Sequence, residues 1–137
     1  MVAGDEDTRT YAGIEALNPA MAWEPKTLIH VVNVTTDGRA VKGYGTVRYG
    51  DTNQTPGTGW GEPFVAWTET MHGFLRQGVA RHRLLAMAAL TQVVFGRQLH
   101  SHTLFETYGE YPWLKLVSQG LAEHCTGADG KDQYRML

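Results

Sequence analysis

The sequence predicts a mixed α/β domain in which a mostly antiparallel sheet packs against one long buried helix. Residues 27–34 (TLIHVVNV) are rich in β-branched side chains, and the Asp37-Gly38 pair that follows is a hairpin signal. From Gly78 to Gly96 nearly all residues are good helix formers, and Gly96 stands where a glycine cap belongs. Strand patterns resume after this helix, which indicates a right-handed β-α-β crossover.

Before the third strand, the sequence predicts a poorly defined N-terminal segment, a second strand and a long loop. Residues 1–27 are poorly defined by pattern, although YAGIEAL is compatible with a short helix ending near Pro19. Residues 40–50 return from the hairpin turn as a second strand, with alternate residues predicted on one face: Val41, Gly43, Gly45, Val47 and Tyr49. The two glycines would let another backbone or a ligand approach closely. Residues 50–62 form a long loop by composition, with Trp60 as a lid or a packing anchor.

The third visible strand is PFVAWTETM (63–71), which leads into the Gly78 turn. Alternation places Val65, Trp67 and Glu69 on one of its faces. From Leu84 onward the helix is apolar almost all round, which predicts that it is buried against a sheet rather than lying on a surface. LHSHTLF (99–105) then predicts a fourth strand, 111–119 a short helix, and the chain ends in a hairpin around Asp129-Gly130.

Composition narrows the class of protein. A chain of 137 residues with 42% hydrophobic content is expected to form a single domain over 1–137. The net charge of -2 argues against general attraction to nucleic acid or membrane. No apolar run reaches membrane-spanning length, and the acidic N-terminus lacks a signal peptide's apolar stretch, so a cytoplasmic location is expected. His100 and His102 have the spacing of a metal-binding pair, but without a third ligand no metal site is predicted.

The start of the long helix predicts an anion site. No Ser, Thr, Asp or Asn stands where it could cap the first N–H groups, and the first turns are basic through Arg76, Arg81, His82 and Arg83. Cations at this end oppose the helix dipole, so an anion such as phosphate would be stabilised there. The alternative is that water solvates both the arginines and the amides.

The order of these elements resembles the GNAT superfamily of N-acetyltransferases. The segment Leu75-Arg76-Gln77-Gly78-Val79-Ala80 is similar to the family's Arg/Gln-x-x-Gly-x-Gly/Ala turn, and LKLVSQGLAEH (114–124) to its later signature. The resemblance implies a GNAT-like, mostly antiparallel sheet and acetyl-coenzyme A as co-substrate, its pyrophosphate held by backbone amides. The residues implied in cofactor binding are Thr70, Met71, Arg76, Gln77, Gly78, Val79, Ala80 and Arg81.

The sequence also departs from this family. Leu75 replaces the first Arg or Gln of the turn, and about 27 residues stand where the family has its first strand and two helices. A tyrosine proposed in the family as general acid to the leaving thiolate aligns with Leu116 here. Tyr108 and Tyr111 lie just upstream and are the candidates to replace it.

The chemistry implied is acetyl transfer to the amine of a small molecule or protein. Glu69, at the end of the third strand, is the candidate general base, with His72 as the second choice; the alternative for Glu69 is an ordinary solvated side chain. A second class of function is a GNAT-like domain that has lost catalysis and binds a partner protein. A nucleic-acid binder using Arg76, Arg81 and Arg83 is disfavoured by the lack of other basic surface. A homodimer is compatible with the sequence.

Overall fold

The computed structural model describes residues 7–18, 27–49, 62–102, 109–127 and 130–137. Within these ranges the chain forms six strands and two α-helices. In chain order they are β1 (Arg9–Ala16), β2 (Thr27–Val34), β3 (Val41–Tyr49), β4 (Phe64–Thr70), α1 (Val79–Phe95), α2 (Tyr111–Ser118), β5 (Ala122–Thr126) and β6 (Asp132–Met136). The predicted 50–62 loop, including Trp60, lies outside the described residues except for Glu62.

The first four strands form one antiparallel sheet in the order β1-β2-β3-β4. The prediction of a short helix before Pro19 is wrong, because Arg9–Ala16 pairs along its whole length with β2. Nearly every side chain of β1 is exposed, so the segment shows no alternation of apolar and polar residues that would mark a strand. Pairing to β2 therefore decides its conformation. β1 adds a strand ahead of the three that the sequence predicts, so the predicted third strand is β4, and α1 follows it as predicted.

A β-bulge in β4 changes which of its side chains share a face. Val47 pairs with Val65 whereas Thr46 pairs with Trp67, so Ala66 is the extra residue. Val65 consequently joins the core beneath α1, while Trp67 and Glu69 point to the opposite face. The prediction that these three residues share one face is wrong, because an extra residue shifts the alternation by one.

Helix α1 runs between Gly78 and Gly96, which both adopt left-handed conformations, as the sequence predicts. It packs on β2, β3 and β4 through one face, which carries Val79, Arg83, Leu84, Met87 and Thr91. The opposite face is open, with Val93 83% exposed. The prediction that the helix is buried against the sheet is confirmed, while its outer face is exposed. The apolar run of the sequence includes small alanines, which reach solvent at little cost.

After α1 the chain returns alongside β4, as the predicted β-α-β crossover requires. The His100 carbonyl accepts a hydrogen bond from the Val65 amide, and its amide donates to Pro63, both at 2.9 Å. On its other side, residue 101 bonds to Tyr134 and residue 99 to Met136 of β6. The predicted fourth strand is thus a short extended stretch that joins the larger sheet to the β5-β6 hairpin through isolated bridges. Its last residues, 103–105, lie outside the described residues.

Helix α2 and the C-terminal hairpin complete the fold. Pro112 occupies the first turn of α2, and Gly120, with φ 73°, ends it, as predicted. β5 and β6 pair antiparallel, which confirms the final hairpin, although Asp129 in its turn lies outside the described residues. The core combines side chains from both sheets and both helices: Ile29, Val31, Val47, Val65, Leu84, Met87, Leu99, Trp113, Leu116, Ala122, Tyr134 and Met136. No helix in the described ranges has the length and apolar character that crossing a membrane requires.

Candidate cofactor and acceptor site

The connection from β4 to α1 is a tight turn with unusual backbone conformations. A single 3₁₀ turn over His72–Phe74 follows β4, and the chain then passes through Arg76 and Gly78 before α1 begins. Gly78 has φ 80° and Arg76 has φ 63°, a left-handed conformation that non-glycine residues seldom adopt. Strain of this kind is maintained by the surrounding structure and concentrates at functional sites.

The first turn of α1 has no side-chain cap and no acidic residue. Its first helical hydrogen bond runs from the His82 amide to the Gly78 carbonyl at 3.0 Å, so the amides ahead of His82 are not used within the helix. Val79 is buried and Ala80 half-buried, so a ligand at this turn would meet these two residues through their backbone. The arrangement has the properties of an anion site, in which amides and the positive end of the helix dipole point the same way.

The four basic side chains near this turn serve different contacts. Arg76 is exposed and forms no ion pair with a described residue. Arg81 donates to the Gln119 side chain at 3.0 Å, which links α1 to the end of α2. His82 shares a hydrogen bond with the Thr10 hydroxyl of β1 at 2.9 Å. Of these four, Arg76 and Arg81 are the arginines at the surface of the turn, because Arg83 is buried.

Arg83 points into the protein, which corrects its predicted place in the basic cluster. It is 1% exposed and lies against the sheet. Its guanidinium donates to the hydroxyls of Thr68 and Thr70, both at 2.9 Å, and to the Asn33 side-chain oxygen at 3.0 Å. Burial lowers the pKa of Arg83 to about 10, and the charge of Glu69 partly offsets this effect. The group remains charged at neutral pH and fixes the start of α1 to the end of β4.

A glycine makes room for this buried arginine. A Cβ at Gly43 would lie 2.3 Å from Arg83 Nη1 and 2.6 Å from the Glu69 carbonyl oxygen. The prediction of a close approach at Gly43 and Gly45 is confirmed: the carbonyl oxygens of Glu69 and Trp67 in β4 approach these glycines, and so do side chains of α1. Met87 is the neighbour of Gly45, at 3.0 Å from such a Cβ.

Two residues implied in cofactor binding already use some of their polar groups in the fold. The Thr70 hydroxyl accepts from Arg83, and the Met71 amide donates to the Lys42 carbonyl at 2.8 Å. Contacts from these residues to a ligand could come from the Thr70 backbone, from the O–H of Thr70, which accepting from Arg83 leaves available to donate, or from the Met71 side chain. Gln77 is half-buried in the turn and leads directly into Gly78.

Glu69 lies on the face of the sheet opposite α1. The Tyr44 hydroxyl donates to its Oε2 at 2.7 Å, which orients the carboxylate. Trp67 is exposed on the same face, and His72 is exposed in the 3₁₀ turn just after β4. The bulge at Ala66 therefore gives Glu69 a place beside aromatic side chains, at the strand end that leads to the Gly78 turn.

The structure describes one of the two tyrosine candidates for the general acid. Tyr108 lies outside the described residues, and Tyr111 is exposed in the first turn of α2. Leu116, at the position of the expected tyrosine, is fully buried in the core. Sequence reasoning missed Tyr134, whose hydroxyl donates to Glu110 Oε2 at 2.6 Å. Burial, reinforced by Glu110, raises the pKa of Tyr134 to about 12, so this hydroxyl keeps its proton.

The two histidines with metal-ligand spacing contact protein groups. His100 is buried and its Nδ1 donates to the Gln98 carbonyl at 3.0 Å, while burial lowers its pKa. His102 packs edge-on against the Phe64 ring. Across the described ranges, no three His, Cys, Asp or Glu side chains converge in a way that could hold a metal ion.

The architecture defines a class: a mixed α/β domain with an antiparallel sheet, a β-α-β crossover, and an anion-type turn between β4 and its helix. In sequence comparisons no family profile and no curated protein matches the chain. Among solved structures, the chain is similar to a Desulfovibrio desulfuricans protein assigned to the GNAT family of acetyltransferases. The TM-score is 0.55 at 18% identity, over 80% of this chain and 67% of that one. This similarity shows a GNAT-like fold.

A second similar structure is a Bordetella pertussis protein, also assigned as a GNAT-family acetyltransferase. Here the TM-score is 0.48 at 15% identity, over 80% of this chain and 63% of the other. The chain thus spans about two thirds of the length of the structures it resembles.

Proposed function

We propose that this protein transfers an acetyl group from acetyl-coenzyme A to an amine. The observation that carries the proposal is the start of α1, which has no side-chain cap and follows two left-handed residues. Its amides and dipole, with the Arg76 and Arg81 side chains nearby, suit the pyrophosphate of coenzyme A. The similar Desulfovibrio desulfuricans protein is assigned as an acetyltransferase, and a GNAT-like fold accommodates this chemistry.

The outer edge of β4 offers a path for the rest of the co-substrate. The parallel contact to residue 100 involves only the start of β4, at Phe64 and Val65. From Ala66 to Thr70 the same edge has no strand partner among the described residues. An extended arm with amide groups could add there as a strand, as peptides do at open sheet edges. It would lead from the Gly78 turn towards the bulge and Glu69.

The chain's own groups are suited to the acyl-transfer step. The acceptor amine must lose a proton, attack the thioester carbonyl and expel a thiolate, which then gains a proton. Glu69, oriented by Tyr44, would accept the amine proton directly or through water, with His72 as the alternative base. Tyr111 or Tyr108 would supply the proton to the thiolate. Positioning by the turn and the β4 edge would account for most of the acceleration.

A catalytically inactive binding module is the second candidate. One observation favours it: Leu116 stands where the general-acid tyrosine is expected, and its burial in the core leaves no room for that role. Exposed Trp67 would then be part of the recognition surface, since Trp residues are frequent hot spots.

A free-thiol assay over a panel of primary amines tests the proposal, with acetyl-coenzyme A as donor. We expect release of coenzyme A that depends on the amine and falls strongly in Glu69→Gln. The matched control is Glu62→Gln, because Glu62 is a partly exposed carboxylate that pairs with Arg97 away from the turn. Absence of amine-dependent thiol release with every amine, from a protein that still binds acetyl-coenzyme A, would favour the binding module.

A further inference from the structure

The outer edge of β1 is an exposed strand edge of eight residues. β1 pairs with β2 on one side only, and no strand among the described residues lies on its other side. Its side chains are exposed, including Tyr11 at 55% and Ile14 at 60%. Long exposed edges with apolar side chains template pairing with another strand. No charged interruption or proline protects the middle of this strand, from Thr10 to Ile14.

We infer that β1 pairs antiparallel with β1 of a second copy of this chain, about a two-fold axis at Ala12. In antiparallel pairing, opposed residues lie on the same face, and the side chains of a strand alternate between faces. A two-fold axis perpendicular to the sheet keeps every side chain on its own face. The axis of a symmetric pair must therefore pass through a residue position rather than between two residues. The candidate centres on this strand are Tyr11, Ala12 and Gly13.

Charge complementarity selects the Ala12 centre. This register places Arg9 opposite Glu15 of the second copy, and symmetry repeats the pair. A centre at Tyr11 would instead oppose Asp7 and Glu15, which are both acidic. A centre at Gly13 would place Arg9 opposite Leu17 and would give the guanidinium no acidic partner. Arg9 has no ion pair within the described residues, and Glu15 uses one carboxylate oxygen for His30 at 3.0 Å. Its other oxygen can accept from Arg9.

Side-chain volume supports the same register. The Ala12 centre places Tyr11 opposite Gly13 of the second copy, and the two-fold axis generates a second such pair. A Cβ at Gly13 would meet no atom within 4 Å, so this space can hold an aromatic ring. An aromatic side chain placed across from a strand glycine covers its exposed backbone. On the α1 side, Ile14 would face Thr10 and lie diagonal to Ala12 of the second copy, which removes apolar surface from water.

Charge exchange tests the inference. Sedimentation velocity across a concentration series should show a reversible monomer–dimer equilibrium, since one strand pair is a small interface. Arg9→Glu or Glu15→Arg alone replaces two attractive pairs by two repulsive ones and should raise the dimer dissociation constant about tenfold or more. Arg9→Glu combined with Glu15→Arg should return it close to the wild-type value. A wild-type protein that stays monomeric at millimolar concentration, or a double variant as weak as the single ones, would overturn the inference.

Cysteine substitution tests the register separately. In a Cys125→Ser background, Ala12→Cys places the two thiols on the axis, where opposed Cα atoms lie about 4.5–5.5 Å apart and a disulfide can form. Mild oxidation should cross-link Ala12→Cys faster than Tyr11→Cys or Gly13→Cys. Preferential cross-linking at position 11 or 13 would contradict the Ala12 centre. Circular dichroism of each variant checks that the fold is retained.

Discussion

Replacing Gly43 by alanine tests whether the buried arginine fixes α1 to the sheet. The new Cβ would lie 2.3 Å from Arg83 Nη1 and 2.6 Å from the Glu69 carbonyl, both far inside contact distance. Neither neighbour can yield easily, because three hydrogen bonds hold the guanidinium and β4 holds the carbonyl. Overpacking costs about 1–3 kcal/mol, and a lost hydrogen bond to a charged group about 1.5–3 kcal/mol. We expect a loss of about 3 kcal/mol in the free energy of unfolding.

Urea denaturation followed by circular dichroism measures this loss, with two glycine variants for comparison. Gly73→Ala is the control, because a Cβ there meets no atom within 4 Å and the free energy should change by less than about 0.5 kcal/mol. Gly45→Ala should fall between them, since its two shortest contacts, at 3.0 and 3.1 Å, are to the flexible end of Met87, and its backbone contact, to the Trp67 carbonyl oxygen, is longer at 3.2 Å. The reasoning would be refuted if Gly43→Ala were as stable as Gly73→Ala.

Further predictions concern the site and the pH dependence of stability. Glu69→Gln should lower kcat by about 10²-fold or more with little change in the affinity for acetyl-coenzyme A, measured by steady-state kinetics beside a binding titration; equal turnover would move the base to His72 or water. Arg76→Ala should weaken acetyl-coenzyme A binding more at low salt than at high salt, because the contact is electrostatic and solvent-exposed; an affinity that is unchanged at both salt concentrations would contradict this role. Since the folded state raises the pKa of Tyr134 from 10.0 to about 12, the stabilisation this provides is complete below pH 10 and is lost as the pH rises towards 12. The unfolding free energy of Tyr134→Phe should therefore fall less over that interval than the wild-type value, and parallel pH profiles would show that the shift is absent.

The fold was predictable where local signals agree with tertiary contacts. Gly78 and Gly96 bound α1 as expected. Gly96 ends the helix because glycine readily adopts the left-handed conformation that closes a helix C-terminus. The hairpin at Asp37-Gly38 and the crossover after α1 follow from equally local rules. The β1 strand was not predictable, since an exposed strand shows no burial pattern and its pairing to β2 is a long-range contact.

The candidate site was predictable only in part, because several of its features depend on long-range contacts rather than on local sequence. The uncapped start of α1 can be read from residue types, because capping depends on neighbouring positions in the chain. The direction of Arg83 cannot, since it depends on the space at Gly43 and on hydroxyls of another strand. The bulge at Ala66 and the Tyr134–Glu110 pair likewise arise from tertiary packing, which no local pattern encodes.

Calorimetric titration with acetyl-coenzyme A tests the central claim, that the Gly78 turn holds the pyrophosphate. Wild-type protein should bind with one site per chain. Gly78→Glu should lose this binding, whereas Gly78→Gln, which has the same side-chain size and backbone cost at φ 80°, should retain part of it because it adds no charge against the phosphates. Absence of binding to the wild-type protein, or equal affinities for Gly78→Glu and wild type, would contradict the account.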